Sequence, residues 1–356
     1  MNANELHPNC CDAVDLGTVA VVIPCRNEQA EILSVVATLP EGLGQWLVVD
    51  NGSDATCSQL LKEQLSPENV LRIPQPLGVG GAFLVGSQAL KPEIRWVCKL
   101  DGDGQFNAVA LGAFLERAQR SERSLVKTAR CDPRDWRLNP DRAGSRHWGN
   151  QLLTLLVAMA SGYYLLEDGT SGLFLIDRSA LRAAEAMGGL RHDHGFETTL
   201  LINLGALGAD LLELRVPIRY SPHRKRTFVA RALALPLLMS LWGGLSSRLL
   251  RSHLVYRLSA GGCLLLLSGG LLVAGLGLTA VAAIKAVSLG IPTTPGISAA
   301  ATSLLSWGIL GVLGFLAYDF ASTFQRYRNA SAFDCWQPMA THGIQATKNH
   351  QPKRPS

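Results

Sequence analysis

From Val19 to about Ser221, short apolar runs alternate with stretches of helical period. "VAVVI" (19–23) precedes "EQAEILSVVATL", and "WLVVD" (46–50) precedes "SDATCSQLLKEQL". "NVLRI" (69–73) precedes "GGAFLVGSQAL", and "RWVCKL" (95–100) precedes "NAVALGAFLERAQR". Continuous β-branched runs alternating with amphipathic segments predict an α/β fold, a mostly parallel sheet with helices on its faces. In such sheets ligands sit beyond the carboxyl ends of the strands. Polar residues collect at three of those ends: Arg26, Asn27 and Glu28; Asp50, Gly52, Ser53 and Asp54; Asp101, Asp103 and Gln105.

The last third changes character. Leu258 to Ile284 is an uncharged run of 27 positions and Ile297 to Tyr318 one of 22. Each exceeds the about 20 residues that a helix needs to cross hydrocarbon. "KAVSLGIPTTPG" between them reads as a loop, so the pattern predicts a transmembrane helical hairpin; a buried soluble helix pair is the alternative. Arg248, Arg251 and Arg257 precede the first span and Arg326 and Arg328 follow the second, with only Lys285 between. That bias puts both ends of the hairpin, and with them the α/β domain, in the cytosol. Residues 225–257 are apolar but bounded by arginines and interrupted by Pro236 and Gly243-Gly244. They read as interfacial helices, or alternatively as a core helix of the domain. The expected organisation is an N-terminal tail (1–18), a catalytic-type domain (19–226), juxtamembrane helices (227–253), two spans (254–320) and a disordered cytosolic tail (321–356).

Composition adds little. The 356 residues carry a net charge of +5, and nothing in their distribution calls for nucleic acid. Eight cysteines form no C-x-x-C pair or zinc spacing and read as reduced thiols. The amino terminus lacks the basic and apolar regions of a signal peptide.

"CKLDGDGQF" poses the chemical question, because Asp101 and Asp103 end an apolar run with no evident cation beside them. An EF-hand register would put Lys99 at the first ligand position and Ala110 at the last, which excludes it. A shallow Mg2+ or Mn2+ site fits better, with substrate phosphates completing the shell; a solvated D-G turn is the bland alternative. Asp50 could accept bonds from a base or ribose, whereas Ser53 and Asp54 suit helix capping. "PLGVGGAFLVG" fails the G-x-G-x-x-G test, because Phe83 stands at the third glycine position.

Taken in order, P-x-R-N-E, D-x-G-S-D, G-x-G-G-A and D-x-D-x-Q resemble family 2 glycosyltransferases of GT-A (Rossmann-like) fold. "DGTSGLFLIDRSAL", "GFETTLLINL" and "LRVPIRYSPHRKR" resemble later segments of dolichyl- or polyprenyl-phosphate sugar synthases, so the likeness covers roughly 19–226. A C-terminal two-span hairpin also recurs in bacterial members.

The resemblance implies a site. Pro24, Arg26, Glu28, Asp50 and Asp101 match nucleotide-sugar-binding positions. Asp101, Asp103 and Gln105 match metal-binding positions for Mg2+ or Mn2+. Arg130 and Arg146, with Asp103, take catalytic places, the arginines on the acceptor phosphate. Ser171, Gly172, Glu197, Arg224, Lys225 and Arg226 match the sugar and acceptor-phosphate region, although Glu197 could serve only the helix dipole. Two departures stand out: Cys25 replaces the usual Tyr or Phe, and "HRKRT" replaces a glycine-serine-lysine ending.

The implied enzyme is an inverting, membrane-bound glycosyltransferase, in the cytoplasmic membrane if bacterial. Its partners would be a UDP- or GDP-sugar and a polyprenyl phosphate, with a second copy of the chain left open. A different lipid or polysaccharide acceptor and a non-catalytic sugar-nucleotide binder are the alternatives. The Q-x-x-R-W motif of processive synthases is absent.

Overall fold

The structure is a computed structural model that describes residues 15–29, 31–102, 104, 108–131, 145–217, 230–255 and 258–327. Its centre is a seven-stranded sheet in the order β3-β2-β1-β4-β6-β5-β7. The strands are β1 (Val19–Cys25), β2 (Gln45–Asn51), β3 (Val70–Ile73), β4 (Trp96–Lys99), β5 (Leu125–Cys131), β6 (Phe174–Asp177) and β7 (Leu211–Pro217). β6 runs antiparallel between β4 and β5; the other neighbours pair in parallel. The expected mostly parallel α/β sheet is therefore present, and β5, β6 and β7 go beyond the four expected strands.

Side chains alternate across the strands and sort two cores. Val19, Val21, Ile23 and Cys25 of β1 pack on one side, with α1 (Ile32–Val36), α2 (Ala55–Gln64) and α4 (Ala108–Ser121). Ala20 and Val22 pack on the other, with α3 (Gly78–Gln88), α5 (Ser145–Ser161), α6 (Arg178–Ala186) and α7 (Phe196–Leu207). Phe83, Phe174 and Phe196 meet edge-on or tilted in that second core. Gly80 lies where a Cβ would collide with the Phe196 ring, so α3 and α7 approach closely only because glycine stands there.

α8 (Ala230–Leu250) is one helix despite Pro236, and a π-turn (Arg251–Val255) continues it. Leu241 is buried in the second core, with Leu237 and Leu245 packed against it, so that core extends past residue 226. Leu238, Met239 and Trp242 of the same helix are exposed.

α9 (Ala260–Leu289) and α10 (Pro295–Tyr327) are each long and apolar enough to cross a membrane. α9 absorbs the first half of the expected connecting loop, because Lys285 to Leu289 continue the helix and Gly290, at φ 63°, ends it. The two helices pack through small residues. Gly308 and Gly275 face Leu272 and Leu305, and Gly311 lies against Ser268. Close backbone approach through small residues is the packing mode available where lipid removes the hydrophobic drive.

Candidate active site

The carboxyl ends of β1, β2, β4 and β5 share one edge, and antiparallel β6 starts there. Two polar groups occupy this edge.

The first ties the β1 loop to the β2 loop. Asn27 adopts φ 55° and accepts from the Asp54 N–H at 2.9 Å, while its own N–H donates to Ser53 Oγ at 3.2 Å. Asp54 caps α2 by accepting from the Cys57 N–H. Asp50 is buried; it accepts from the Ser53 N–H at 2.9 Å and from Ser58 Oγ at 2.6 Å, with Arg72 3.8 Å away. Burial pushes the Asp50 carboxyl up, but these bonds and the Arg72 charge outweigh it and hold it below the usual range. Both Asp50 oxygens are thus used inside the protein. Gly52, at φ 67°, leaves no room for a Cβ beside Pro76, and the Leu77 N–H donates to Asn51 Oδ1 at 2.8 Å.

The second group surrounds Asp101. Lys99 closes β4 with 0% exposure. Its Nζ lies 2.5 Å from Asp101 Oδ1 and 2.9 Å from Glu197 Oε1, and donates to the Gly172 carbonyl at 3.3 Å. Burial alone would favour the neutral amine; the Asp101 and Glu197 charges reverse that and hold the ammonium well above the ordinary lysine range. Lys99 is the cation that the sequence expectation lacked for Asp101, and this corrects it. Glu197, in the first turn of α7, also does more than face a helix dipole: it is half of an ion pair.

Gly172 lies against Asp101, where a Cβ would collide with Oδ2, and a Cβ on Gly102 would collide with Glu28 Oε2. Asp101, Gly172 and Glu197 are therefore brought together around Lys99, and Glu28 lies beside Gly102. Ser171 is buried and its hydroxyl is shared with Thr128 of β5. Pro24 is buried in β1 opposite Val49, and Arg26 is exposed just beyond the strand.

Arg130 lies in β5 and Arg146 in the first turn of α5. Asp103, Gln105, Arg224, Lys225 and Arg226 lie outside the described residues. Among the described residues no group of three metal-ligating side chains occurs. Of the two carboxylates on Lys99, Asp101 is the more open, with 34% side-chain exposure against 10% for Glu197. Burial pushes the Cys25 and Cys98 thiols up, so neither is a reactive thiolate.

The family model for glycosyl transferase family 2 matches residues 20–184. Among solved structures, glucosyl-3-phosphoglycerate synthase from Mycobacterium tuberculosis superposes with a TM-score of 0.50 at 20% identity, over 65% of this chain and 84% of that one. The same synthase with Mn2+, UDP and glucosyl-3-phosphoglycerate gives 0.48 at 19% identity, over 66% and 82%. With Mn2+ and UDP-glucose it gives 0.48 at 20%, over 66% and 81%. The first of these, at 20% identity, shows the fold. A comparison with curated proteins finds no match. Residues 20–184 thus match the glycosyl transferase family 2 model, and the likeness to the synthase shows the GT-A fold.

Proposed function

We propose that the protein is a membrane-bound, inverting glycosyltransferase that moves a sugar from a nucleoside-diphosphate sugar to a polyprenyl phosphate. The observation that carries the acceptor is the exposed apolar surface of α9 and α10. Only 11% and 17% of their most apolar windows are buried, where a soluble core helix would be mostly buried. A chain that joins a sugar-nucleotide domain to such helices suits an acceptor that lives in lipid while its donor stays in water.

The chemistry asks little of a general base. A phosphate monoester is already anionic near neutral pH, so one of its oxygens can attack the anomeric carbon as the bond to the diphosphate breaks. Positioning and charge stabilisation then dominate the rate. On this reading Arg130 and Arg146 hold the acceptor phosphate, and Arg224, Lys225 and Arg226 cover the phosphates. Glu28 and Asp101 face the nucleotide sugar, with Lys99 fixing Asp101. A divalent cation at Asp101, Asp103 and Gln105 would offset charge on the departing diphosphate.

Membranes containing the protein, given labelled UDP- and GDP-sugars plus polyprenyl phosphate, should form a labelled lipid that EDTA abolishes. The absence of lipid label with every donor would sink the proposal.

A further inference from the structure

A second cluster of ionisable groups lies far along the chain from the first. Asp319, on α10, has 0% exposure and Arg248, on α8, has 2%. Arg248 donates to Asp319 through Nη1 at 3.0 Å and Nη2 at 2.8 Å. His253 Nε2 lies 2.9 Å from Asp319 Oδ1, and the Tyr164 hydroxyl donates to Oδ2. Burial and the Asp319 charge push the Tyr164 phenol up to about 12, so it stays a donor. Four donors thus fill the roughly four acceptor positions of one carboxylate. His253 Nδ1 lies 2.9 Å from Ser259 Oγ, which in turn accepts from the Gly262 N–H and caps α9.

The cluster joins parts of the chain that are otherwise separate. Asp319 lies near the carboxyl end of the second candidate span, Pro295–Thr323, and Ser259 opens the first. Arg248 and His253 come from α8 and its π-turn. Tyr164 follows α5, and Arg248 Nη2 also donates to the Met159 carbonyl in the last turn of α5 at 3.0 Å. Gly162, at φ 84°, ends that helix where a Cβ would lie 3.0 Å from Arg248 Nη1. α5 is therefore gripped at its carboxyl end by groups anchored in the spans. Its first turn, one helix length of roughly 25 Å away, carries Arg146.

We infer that Arg248, Asp319 and His253 form a fixed joint between the glycosyltransferase domain and the helical hairpin, with Asp319 a positioning residue for the acceptor lipid. The inference rests on the acceptor reading above. A saturated carboxylate has no valence left for a ligand, so its role is mechanical. The joint sets the height and tilt of α5, and hence of Arg146, relative to the lipid in which a long acceptor is embedded. A short acceptor that diffuses in water can find the site whatever that height.

The test uses the full chain in vesicles, with Asp319→Leu assayed on two acceptors. Long polyprenyl phosphate in the bilayer should lose about tenfold or more in turnover, in line with the cost of misplaced reactants. A short, water-soluble isoprenyl phosphate should be nearly unaffected. A second arm reads geometry directly. Spin labels on Lys62→Cys in α2 and on the exposed Cys263 in α9, with Cys10, Cys11, Cys131 and Cys335 replaced by serine, should give a narrow distance distribution in the parent and a broad one in Asp319→Leu. If Asp319→Leu fails to fold, Tyr164→Phe and His253→Ala each remove one bond to the carboxylate and carry both arms. Equal loss on the two acceptors, or distances as narrow as in the parent, overturns the joint. If the parent uses neither acceptor, the acceptor reading fails and the distances alone decide for or against the joint.

Discussion

Two buried ionic clusters among the described residues are built on opposite plans. At the sheet edge, one ammonium, Lys99, serves two carboxylates, and one of them, Asp101, stays partly open to solvent. At the base of the hairpin, one carboxylate, Asp319, is saturated by Arg248, His253 and Tyr164 and is closed to solvent. The first cluster leaves the Asp101 side chain 34% exposed, so solvent and solutes reach it. The second has nothing left to offer a ligand. Burial of charge by itself therefore says little about function; stoichiometry and access separate a site from a fastener.

Double variants should expose that difference most strongly. Arg248→Met or Asp319→Leu alone leaves an unpaired buried charge and should cost about 3–5 kcal/mol of stability. Together they should restore the melting temperature in detergent, because apolar pairs often replace buried ion pairs at no cost. Arg248 Nε, which has no partner among the described residues, is a further penalty that the double variant removes. At the sheet edge, Lys99→Met should destabilise comparably, and adding Glu197→Gln should recover stability. Turnover should not return, because Asp101 has lost its fixed partner. Recovery of both would make the edge cluster a mere fastener.

The next effect is confined to chemistry. Asp103→Asn should cut turnover about 100-fold or more, the scale of losing one charge-stabilising group. The melting temperature should hold, because the change removes no packed apolar surface. A fall in stability to match would place Asp103 in the scaffold.

Much of this was legible in the sequence. Alternating apolar and amphipathic runs give β1 to β4, and uncharged length gives α9 and α10. Lys99 was hidden because it ends a run that reads as apolar. Yet it stands two residues before Asp101, and in a strand that spacing puts both side chains on one face. Glu197 could not be paired with it from sequence, since α4, β5, α5, β6 and α6 lie between them. Asp319 marks the end of the second uncharged run, and its partners His253, Arg248 and Tyr164 lie 66, 71 and 155 positions earlier. Such long-range pairings leave no periodic trace. Asp50 was readable as a polar strand end, but its bonds to Ser53 and Ser58 depend on how α2 turns back over the strand.

Close approach gives the next prediction in size. Gly172→Ala would drive a methyl into Asp101 Oδ2. Overpacking of this kind costs about 1–3 kcal/mol, and here it should fall on turnover and on the binding of the nucleotide sugar as much as on melting. Unchanged calorimetric binding of the donor would mean that Asp101 can move without consequence.

Asp50 separates a structural carboxylate from a ligand at the same sheet edge. Its folded-state carboxyl sits below the usual range, so it binds fewer protons folded than unfolded. The stability it contributes is present above the ordinary aspartate value of about 4 and is lost as pH falls through the lower folded value. Asp50→Asn should therefore lose roughly 1 kcal/mol near neutral pH, the scale of a net hydrogen bond. The gap to the parent should narrow in acid, since the parent there loses what the variant never had. Thermal melts of the two proteins from neutral pH down to about 3 would trace that convergence. A gap that stayed constant with pH, together with weakened donor binding at neutral pH, would turn Asp50 from a brace of the β2–α2 turn into a contact for the nucleotide.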